Sequence, residues 1–504
     1  MPTACTYNRL RSLSLSELLD RFRWIFCQLE VLRDCLPSSV LRTLRELPES
    51  LDETYERILK EIKKPNRDLA GRVLQCLVVA TRPLRVAELA EVLAVDFDDA
   101  EGIPRLKPDW RWEEQELALL SACSSLIAIV EADDIKHSDA QSEYYLVEDD
   151  DEDDVEAGHS DWETETDDAI EAGDLRIVQF SHFSVKEFLT SPRLATASRD
   201  VSIYHIDMES AHTILAQACL GVLLQIQEDI EGCSADDHPL AEYAAEHWTT
   251  HAQFGETSSR LHKGMQYLFD PNKQHFALWL SLFDIDSYPN DDAVTFYMFI
   301  PNGIGKPPAG PLYYAALCGF HDIVEHLITK QRQDVNADGG YYVRPLVAAL
   351  GGEHFQTADL LRRNGADLRA VLGRYERSPL HAAAFSGKLE VVRRLIEYDP
   401  ADINARDEKG QTPLHWASIG HNFKDGSVLR LLLEHGADIN ARTRGGRTPF
   451  HVATTNRSLE VLRLLLEHGA DVEAKNTKGE TALQEATYRR SDEVVEFLRE
   501  HGAK

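Results

Sequence analysis

The stretch RIVQFSHFSVKEFL, residues 176–189, places Ser181, His182 and Ser184 within four positions. A serine hydroxyl beside a histidine could form the nucleophile and base of a hydrolase. Such a serine normally stands in a G-x-S-x-G turn, whereas His182 and Lys186 occupy the glycine positions around Ser184. The pattern instead favours a strand that runs into a helix, with Ser184 as the N-cap and Glu187 completing a capping box. We therefore expect no catalytic residue in this stretch.

A second candidate site is the pair His247 and His251, which lie one helical turn apart in EHWTTHAQF. This spacing suits zinc, but the glutamate of an H-E-x-x-H motif is missing. The neighbouring Trp248 and Phe254 favour a helix packed through its aromatic side chains. We expect no metal site.

A nucleotide site would need the P-loop pattern G-x-x-x-x-G-K-[ST], which the sequence does not contain. The nearest string is GIGKPP (303–308), where Pro307 stands in place of the magnesium-binding hydroxyl. This string also lacks the first glycine of the spacing and follows no clear strand. We expect neither a cofactor nor a small-molecule substrate.

The charge of the chain is strongly acidic, with a formal net charge of −32 over 504 residues. Between Glu148 and Asp174 there are fifteen Asp or Glu and no Lys or Arg. An excess of this sign opposes unspecific binding to nucleic acid or to anionic membranes. The EF-hand spacing of a calcium loop is absent from the acidic run, and its composition favours a solvated, disordered insertion.

The eight cysteines are scattered and form no C-x-x-C pair, which favours thiols in a reducing compartment. The first twenty residues lack the apolar core of a signal peptide, and no run approaches the roughly 20 apolar residues of a membrane-spanning helix. We expect a cytoplasmic protein without a membrane segment.

The last two hundred residues contain an internal repeat, seen in SPLHAAAFSGKLEVVRRLI and TPFHVATTNRSLEVLRLLL. The second residues of six such units are separated by 34, 34, 34, 36 and 33 positions, against roughly 33 for an ankyrin repeat. These units resemble ankyrin repeats, each a pair of helices followed by a protruding hairpin loop. The units open at Pro311, Pro345, Pro379, Pro413, Pro449 and Ala482.

Particular residues of the repeats have predicted roles. Thr412 and Thr448 are expected to cap the first helices, and Gly436 and Gly469 to end the second helices in the left-handed conformation. Stacked repeats place consecutive loop tips side by side. The basic tip residues could then form one docking edge for an acidic partner, with Trp416 of an inner helix as an aromatic anchor. Ordinary solvated loop charge is the alternative interpretation. The basic residues are Arg442, Arg444, Arg447, Lys475 and Lys478.

Upstream of the repeats, the pattern predicts three helices followed by two strands, which is winged-helix order, and the two strands are expected to pair as the wing. The helices are predicted at 67–80, 85–95 and 113–126, and the strands at 127–130 and 175–182. A preceding helix is predicted from about Leu51 to Ile62, with Ser50 and Glu53 as its capping box. The third helix of the winged-helix domain carries Glu113, Glu114 and Glu116 without Lys or Arg, which opposes DNA binding.

The runs ELPESLDETYERIL, CLVVATRPLRVAELAEVLAVDF, LLSACSSLIAIV and VQFSHFSVKEFL resemble the fungal NACHT–ankyrin proteins of the STAND class of signalling ATPases. The resemblance extends from about residue 21 to the end. The segment is also similar to the winged helix found with GPI inositol-deacylase-like proteins. The resemblance implies a sensing or self-recognition role. Because the P-loop is missing, the chain resembles the C-terminal portion of such a receptor, and it is either the product of a truncated gene model or a relative that works without nucleotide.

Together these patterns predict a mainly α protein, with winged-helix and helical spacer domains followed by an ankyrin-repeat solenoid. We expect a non-enzymatic protein whose ankyrin repeats bind a protein partner. The alternatives are a fragment of a NACHT NTPase whose nucleotide-binding module lies upstream, and a DNA-binding winged-helix regulator. The predicted segments are a disordered N-terminus (1–20), a helical segment (21–64), the winged-helix domain (65–195, with an acidic wing insertion at 132–174), a helical spacer (196–286), a linker (287–309) and six ankyrin repeats (310–504).

Overall fold

A computed structural model describes most of the chain and divides it into two compact units, Met1–Gly264 and Met265–Lys504. Several predicted features lie outside the described residues: the disordered N-terminus, the start of the helical segment at 21–64, the acidic wing insertion and almost all of the linker. The described ranges are 50–97, 103–111, 114–131, 176–226, 238–286, 309–368, 377–419 and 426–503.

The first unit contains the predicted winged-helix order. A three-stranded antiparallel sheet contains, in spatial order, the strands Leu84–Arg85, Arg176–Phe180 and Ile127–Glu131. The last two of these strands pair along their whole length. The prediction that these two strands pair is confirmed. The elements are α1 (Leu51–Glu61), α2 (Arg67–Val79), β1 (Leu84–Arg85), α3 (Val86–Leu93), β2 (Val95–Asp96), β3 (Arg105–Leu106), α4 (Gln115–Cys123), β4 (Ile127–Glu131) and β5 (Arg176–Phe180).

Further helices complete the first unit. The helix Met208–Leu223 is apolar on most of its surface, and it packs against α2 and against the helix Ala241–Ala252. The start of the predicted spacer therefore shares the core of the winged helix. The helices are α5 (Phe183–Leu189), α6 (Pro192–Ala195), α7 (Arg199–Ser202), α8 (Met208–Leu223), α9 (Ala241–Ala252), α10 (Thr257–Arg260) and α11 (His262–Leu268), and the division between the two units falls within α11.

Two buried carboxylates on α3 organise its surroundings. Glu88 is fully buried and accepts hydrogen bonds from Arg82 at 2.7 Å and from the Arg85 backbone N–H at 2.7 Å. Burial pushes the pKa of Glu88 upward, but the bonds to Arg82 and Arg85 outweigh it and hold the pKa below its usual value. Glu91, also buried, accepts from Arg111 and from the Leu240 backbone N–H. The acidic side chains of α3 therefore fix the loops before and after it.

The second unit contains α12 (His275–Leu282) and six helix pairs, and each first helix of a pair begins at the predicted residue. Apolar residues bury one side of the second helices, as Val428, Leu429 and Leu432 do in the helix Ser427–Glu434. The pairs are α13 (Pro311–Leu317) and α14 (His321–Thr329), α15 (Pro345–Gly351) and α16 (Phe355–Arg363), α17 (Pro379–Ser386) and α18 (Leu389–Tyr398), α19 (Pro413–Ala417) and α20 (Ser427–Glu434), α21 (Pro449–Thr455) and α22 (Leu459–Glu467), and α23 (Ala482–Tyr488) and α24 (Asp492–Glu500).

The stack begins with tyrosines held by the loop after α12. Tyr313 donates to an Asp286 carboxylate oxygen at 2.8 Å, and Tyr314 donates to Asp284 at 2.7 Å. The other Asp286 oxygen accepts the Tyr341 backbone N–H of the next hairpin at 2.7 Å. These bonds attach the first two repeats to the segment that precedes them.

Replacing Glu88 by Ala should lower the free energy of unfolding of the first unit by about 3 kcal/mol, because it removes a buried ion-pair acceptor and the bond to the start of α3. Urea denaturation with hydrogen exchange of α3 peptides measures the change. The control is Glu242→Ala, which also removes a partner of Arg85 but at a site 69% exposed, where a loss below about 1 kcal/mol is expected. Equal losses in the two variants would contradict the role of burial.

Candidate protein-interaction surface

The loops between repeats form hairpins that bond to one another. Backbone bonds close the hairpins, as from the Asp407 N–H to the Gln411 carbonyl at 3.0 Å and from the Thr443 N–H to the Arg447 carbonyl at 2.9 Å. Consecutive tips are bonded to each other, because the Arg444 N–H donates to the Lys409 carbonyl of the preceding tip at 2.9 Å. A matching bond of 3.0 Å runs from the Thr477 N–H to the Gly445 carbonyl. We call the three tips at 407–411, 443–447 and 475–480 the hairpin ridge.

Side chains also bridge consecutive loops. Asn404 accepts the Asp438 N–H at 2.8 Å and donates to the Gly436 carbonyl at 3.1 Å. Arg406 donates to the Arg442 carbonyl at 2.6 Å, and Arg442 in turn donates to the Lys475 carbonyl at 2.6 Å. The loops are therefore fixed relative to one another by side chains that the repeat pattern does not single out.

The predicted basic residues differ in their environment. Arg444, Lys475 and Lys478 are exposed, and among the described residues their side chains make no hydrogen bond or ion pair. Arg442 is exposed but bridges to the neighbouring loop. The Arg447 side chain points away from the tip and donates to Glu485 at 3.0 Å and to Thr455. Three of the five predicted cations therefore remain available to a partner.

Trp416 is not an exposed anchor, and that prediction is wrong. Its side chain is 4% exposed, its indole N–H donates to Asp407 at 3.1 Å, and its ring meets Phe385 edge-on at 5.5 Å between centroids. The Arg377 guanidinium covers the ring at 4.2 Å from its centroid. Trp416 therefore belongs to the packing between repeats and cannot reach a partner.

The caps of the repeats depend on histidine. Thr412 stands at the N-cap of α19 and forms a capping box with His415, whose Nδ1 accepts the Thr412 N–H at 3.1 Å. The other ring nitrogen lies 3.1 Å from the Arg447 carbonyl of the next hairpin. Because a carbonyl only accepts, Nε2 donates and the imidazole is neutral. Burial lowers the pKa of His415 to about 4.

The same arrangement recurs along the stack. Thr448 caps α21 with His451, whose Nε2 lies 3.4 Å from the Glu480 carbonyl. His381 of the third repeat contacts the Gln411 carbonyl at 3.1 Å. The second helices are followed by glycines with positive φ, +91° at Gly436 and +86° at Gly469, a conformation that a side chain would strain.

Ser184 is not the cap of α5, and the prediction of a capping box with Glu187 is wrong. The helix begins at Phe183, and the side chain of His182 accepts the Ser184 N–H at 3.3 Å. Glu187 therefore lies five residues into the helix, beyond the reach of a capping box. The Ser184 hydroxyl is buried between His182 Nδ1 at 2.6 Å and the Tyr55 hydroxyl at 2.9 Å.

At α1, the Ser50 hydroxyl accepts the Glu53 N–H at 3.2 Å. Tyr55 on the same helix reaches Ser184, so the serine and histidine of the opening stretch connect two helices. The arrangement serves packing, since Ser184 is nearly inaccessible to a substrate.

His251 lies in a buried polar network. Its ring nitrogens are 2.9 Å from His212 Nδ1 and 2.9 Å from the Tyr243 hydroxyl. Burial lowers the pKa of His251 to about 3, so the network is neutral. The His247 ring packs against Tyr243 at a tilt of 60°, with 4.7 Å between the ring centroids. Within the described ranges, no three His, Cys, Asp or Glu side chains are grouped to hold a metal ion.

Helix α4, the third of the winged helix, presents acidic and apolar groups. Glu116 pairs with Arg176 of β5, Glu114 is exposed, and Leu117 is 62% exposed. These residues line an open groove of about 490 Å³. The phosphates of a DNA backbone placed against this helix would face carboxylates, which opposes DNA binding. In the parts of the chain described by the structure, no helix has the length and apolar character needed to cross a bilayer.

Comparisons with known families agree with this architecture. Residues 346–443 and 422–504 match the family described as ankyrin repeats (3 copies). Residues 55–157 match the family described as GPI inositol-deacylase, winged helix domain. The chain is thus a mainly helical protein with a winged-helix domain followed by ankyrin repeats.

Individual relatives share parts of the chain. The "Azaphilone pigments biosynthesis cluster protein L" of Monascus ruber is 30% identical over 64% of this chain and 61% of its own length. The "Probable 26S proteasome regulatory subunit p28" of Saccharomyces cerevisiae is 30% identical over 29% of this chain and 57% of its own length. "Ankyrin repeat and SOCS box protein 5" of Oryctolagus cuniculus is 39% identical over 25% and 35%. The chain therefore spans about three-fifths or less of these relatives.

Acid should weaken the stack through its histidines. Because the pKa of His415 is about 4 when folded and about 6.5 when unfolded, its stabilising contribution is complete above pH 6.5 and is lost as the pH falls towards 4. His415→Gln should reduce the pH dependence of the second unit's unfolding free energy by up to about 3 kcal/mol across this window. Gln484 already accepts the Thr481 N–H at the same position of the sixth repeat. The control is His435→Gln at an exposed site, and an unchanged pH slope in His415→Gln would refute the prediction.

Trp416→Ala should destabilise the second unit by about 3–5 kcal/mol, because it leaves a cavity between Phe385 and Arg377 and removes the indole donor to one oxygen of Asp407. Thermal and urea unfolding measure the loss. Trp416→Phe keeps the aromatic ring and should lose less. A stable Trp416→Ala variant with impaired partner binding would instead restore the role of an exposed anchor.

Proposed function

We propose that the chain is a non-enzymatic interaction protein whose hairpin ridge binds an acidic segment of a protein partner. The observation that carries the proposal is the set of exposed cations, Arg444, Lys475 and Lys478, on loops fixed by bonds between their tips. Fixed loops lose little conformational entropy on binding, which favours affinity. The ankyrin-repeat relatives support a role in protein–protein interaction.

The chemistry of the partner follows from the charges that remain available. Arg442 and Arg447 are engaged within the stack, so recognition depends on one guanidinium and two ammonium groups. Three cations on neighbouring tips suit a peptide with several carboxylates in an extended form. Carboxylates at the base of the same loops, such as Asp438 and Asp471, each accept a hydrogen bond from a nearby backbone N–H through one oxygen. They compete little for the exposed cations.

The setting of this interaction is also a proposal. A winged helix followed by ankyrin repeats is the order found in the STAND-class proteins that the sequence resembles, and it supports a sensing or signalling role in the cytoplasm. In this proposal the repeats are the sensing end of the molecule, and the winged-helix unit is a packing module.

The test compares two triple charge reversals in the full chain. Arg444→Glu, Lys475→Glu and Lys478→Glu together should weaken binding of a fluorescein-labelled Asp- and Glu-rich peptide by at least about tenfold in fluorescence anisotropy. The wild-type affinity should fall as salt is raised.

The matched control reverses three exposed arginines of the second helices, Arg363, Arg430 and Arg463, with the same change of net charge. This variant should bind the peptide within about twofold of the wild type, since rim charges far from a contact act weakly. Equal weakening in both triples, or none in the ridge variant, would reject the ridge as the binding surface.

A further inference from the structure

Tyr488 occupies a position that the third repeat uses to contact the fourth repeat. The equivalent residue of the third repeat is Phe385, the seventh residue of its helix. The Phe385 ring packs edge-on against Trp416 of the fourth repeat, with 5.5 Å between the ring centroids. Tyr488 is the seventh and last residue of α23, and it is 90% exposed. No other large hydrophobic side chain among the described residues is as exposed.

The surface around Tyr488 is otherwise polar. Asp492 and Arg499 of α24 are exposed and stand where the fifth repeat has the half-buried Leu459 and Leu466. Gln484 replaces the histidine that bonds to the next hairpin in other repeats. Polar replacement is what a solvated end of a repeat stack requires. A single exposed aromatic kept within such a polar surface has the composition of an interaction hot spot.

Exposed charges of both signs follow Tyr488 closely in the sequence. Arg489 and Arg490 follow it directly, and Asp492, Glu493 and Glu496 lie on the first turns of α24. Neither sign dominates, so a strongly acidic or strongly basic partner would meet repulsion from half of the patch. A surface with both signs is complementary to its own copy, because a two-fold axis brings the arginines of one copy to the carboxylates of the other.

We propose that this surface, Tyr488 with Arg489, Arg490, Asp492 and Glu493, is a contact between two copies of the chain related by a two-fold axis. The tyrosines pack against each other at the axis, and the charged residues form reciprocal ion pairs around them. The contact uses different residues from the hairpin ridge. Because it involves one end of a stack, it is small and the dimer is weak.

Sedimentation velocity of the full chain from about 1 µM to about 1 mM tests the proposal. The wild type should pass from monomer to dimer, and Tyr488→Ser should associate at least about tenfold more weakly. The control Leu117→Ser removes another exposed apolar side chain, on α4 in the first unit, and should associate as the wild type does. A wild type that stays monomeric throughout, or a Tyr488→Ser variant that dimerises unchanged, would overturn the proposal.

Charge exchange provides a second test of the two-fold arrangement. The double variants Arg489→Glu with Arg490→Glu, and Asp492→Lys with Glu493→Lys, should each self-associate more weakly than the wild type, while circular dichroism shows that both keep their helices. An equimolar mixture should form a heterodimer, because opposite charges again face each other. Failure of the mixture to associate would reject the reciprocal ion pairs and with them the proposed contact.

Discussion

The ankyrin stack depends on neutral imidazoles that join one repeat to the next. In the fourth repeat, His415 accepts from its own N-cap through Nδ1 and donates to the next hairpin through Nε2. One side chain therefore fixes both the start of a helix and the position of the following loop. A protonated ring would carry a hydrogen on Nδ1 and lose the bond to the cap. The regular spacing of the loop tips follows from this constraint.

The first two repeats lack this histidine, and other side chains join them to the next repeat. Tyr313 stands at the histidine position of the first repeat, where its hydroxyl accepts the Tyr342 N–H of the next hairpin at 3.0 Å and donates to Asp286. Val347 takes this position in the second repeat and contributes to an apolar cluster with Ala382. The connection between repeats is thus polar at one interface and apolar at another, with the same backbone arrangement.

The sequence was sufficient to predict the repeat helices and the two longer strands, because helix starts, glycine caps and the repeat period are local signals, but it did not predict the short strands β1, β2 and β3. It was insufficient wherever a side chain's direction depended on distant partners. The covering of Trp416 requires Arg377 and Asp407 from two other loops, and no local pattern reports their approach. The start of α5 was misplaced because His182, an unusual N-cap, replaced the expected serine. The available cations of the ridge could be separated from the engaged ones only after the loop-to-loop bonds were known.

The pairing of β4 with β5 has a consequence for the acidic segment between them. Glu131 and Arg176 are direct cross-strand partners, so residues 132–175 leave and rejoin the sheet at adjacent positions. The entropy of closing a loop between two fixed points grows slowly, by about 0.6 kcal/mol for each doubling of its length. The composition and length of this segment can therefore diverge between relatives, or accept an inserted domain, without changing the fold of the winged helix.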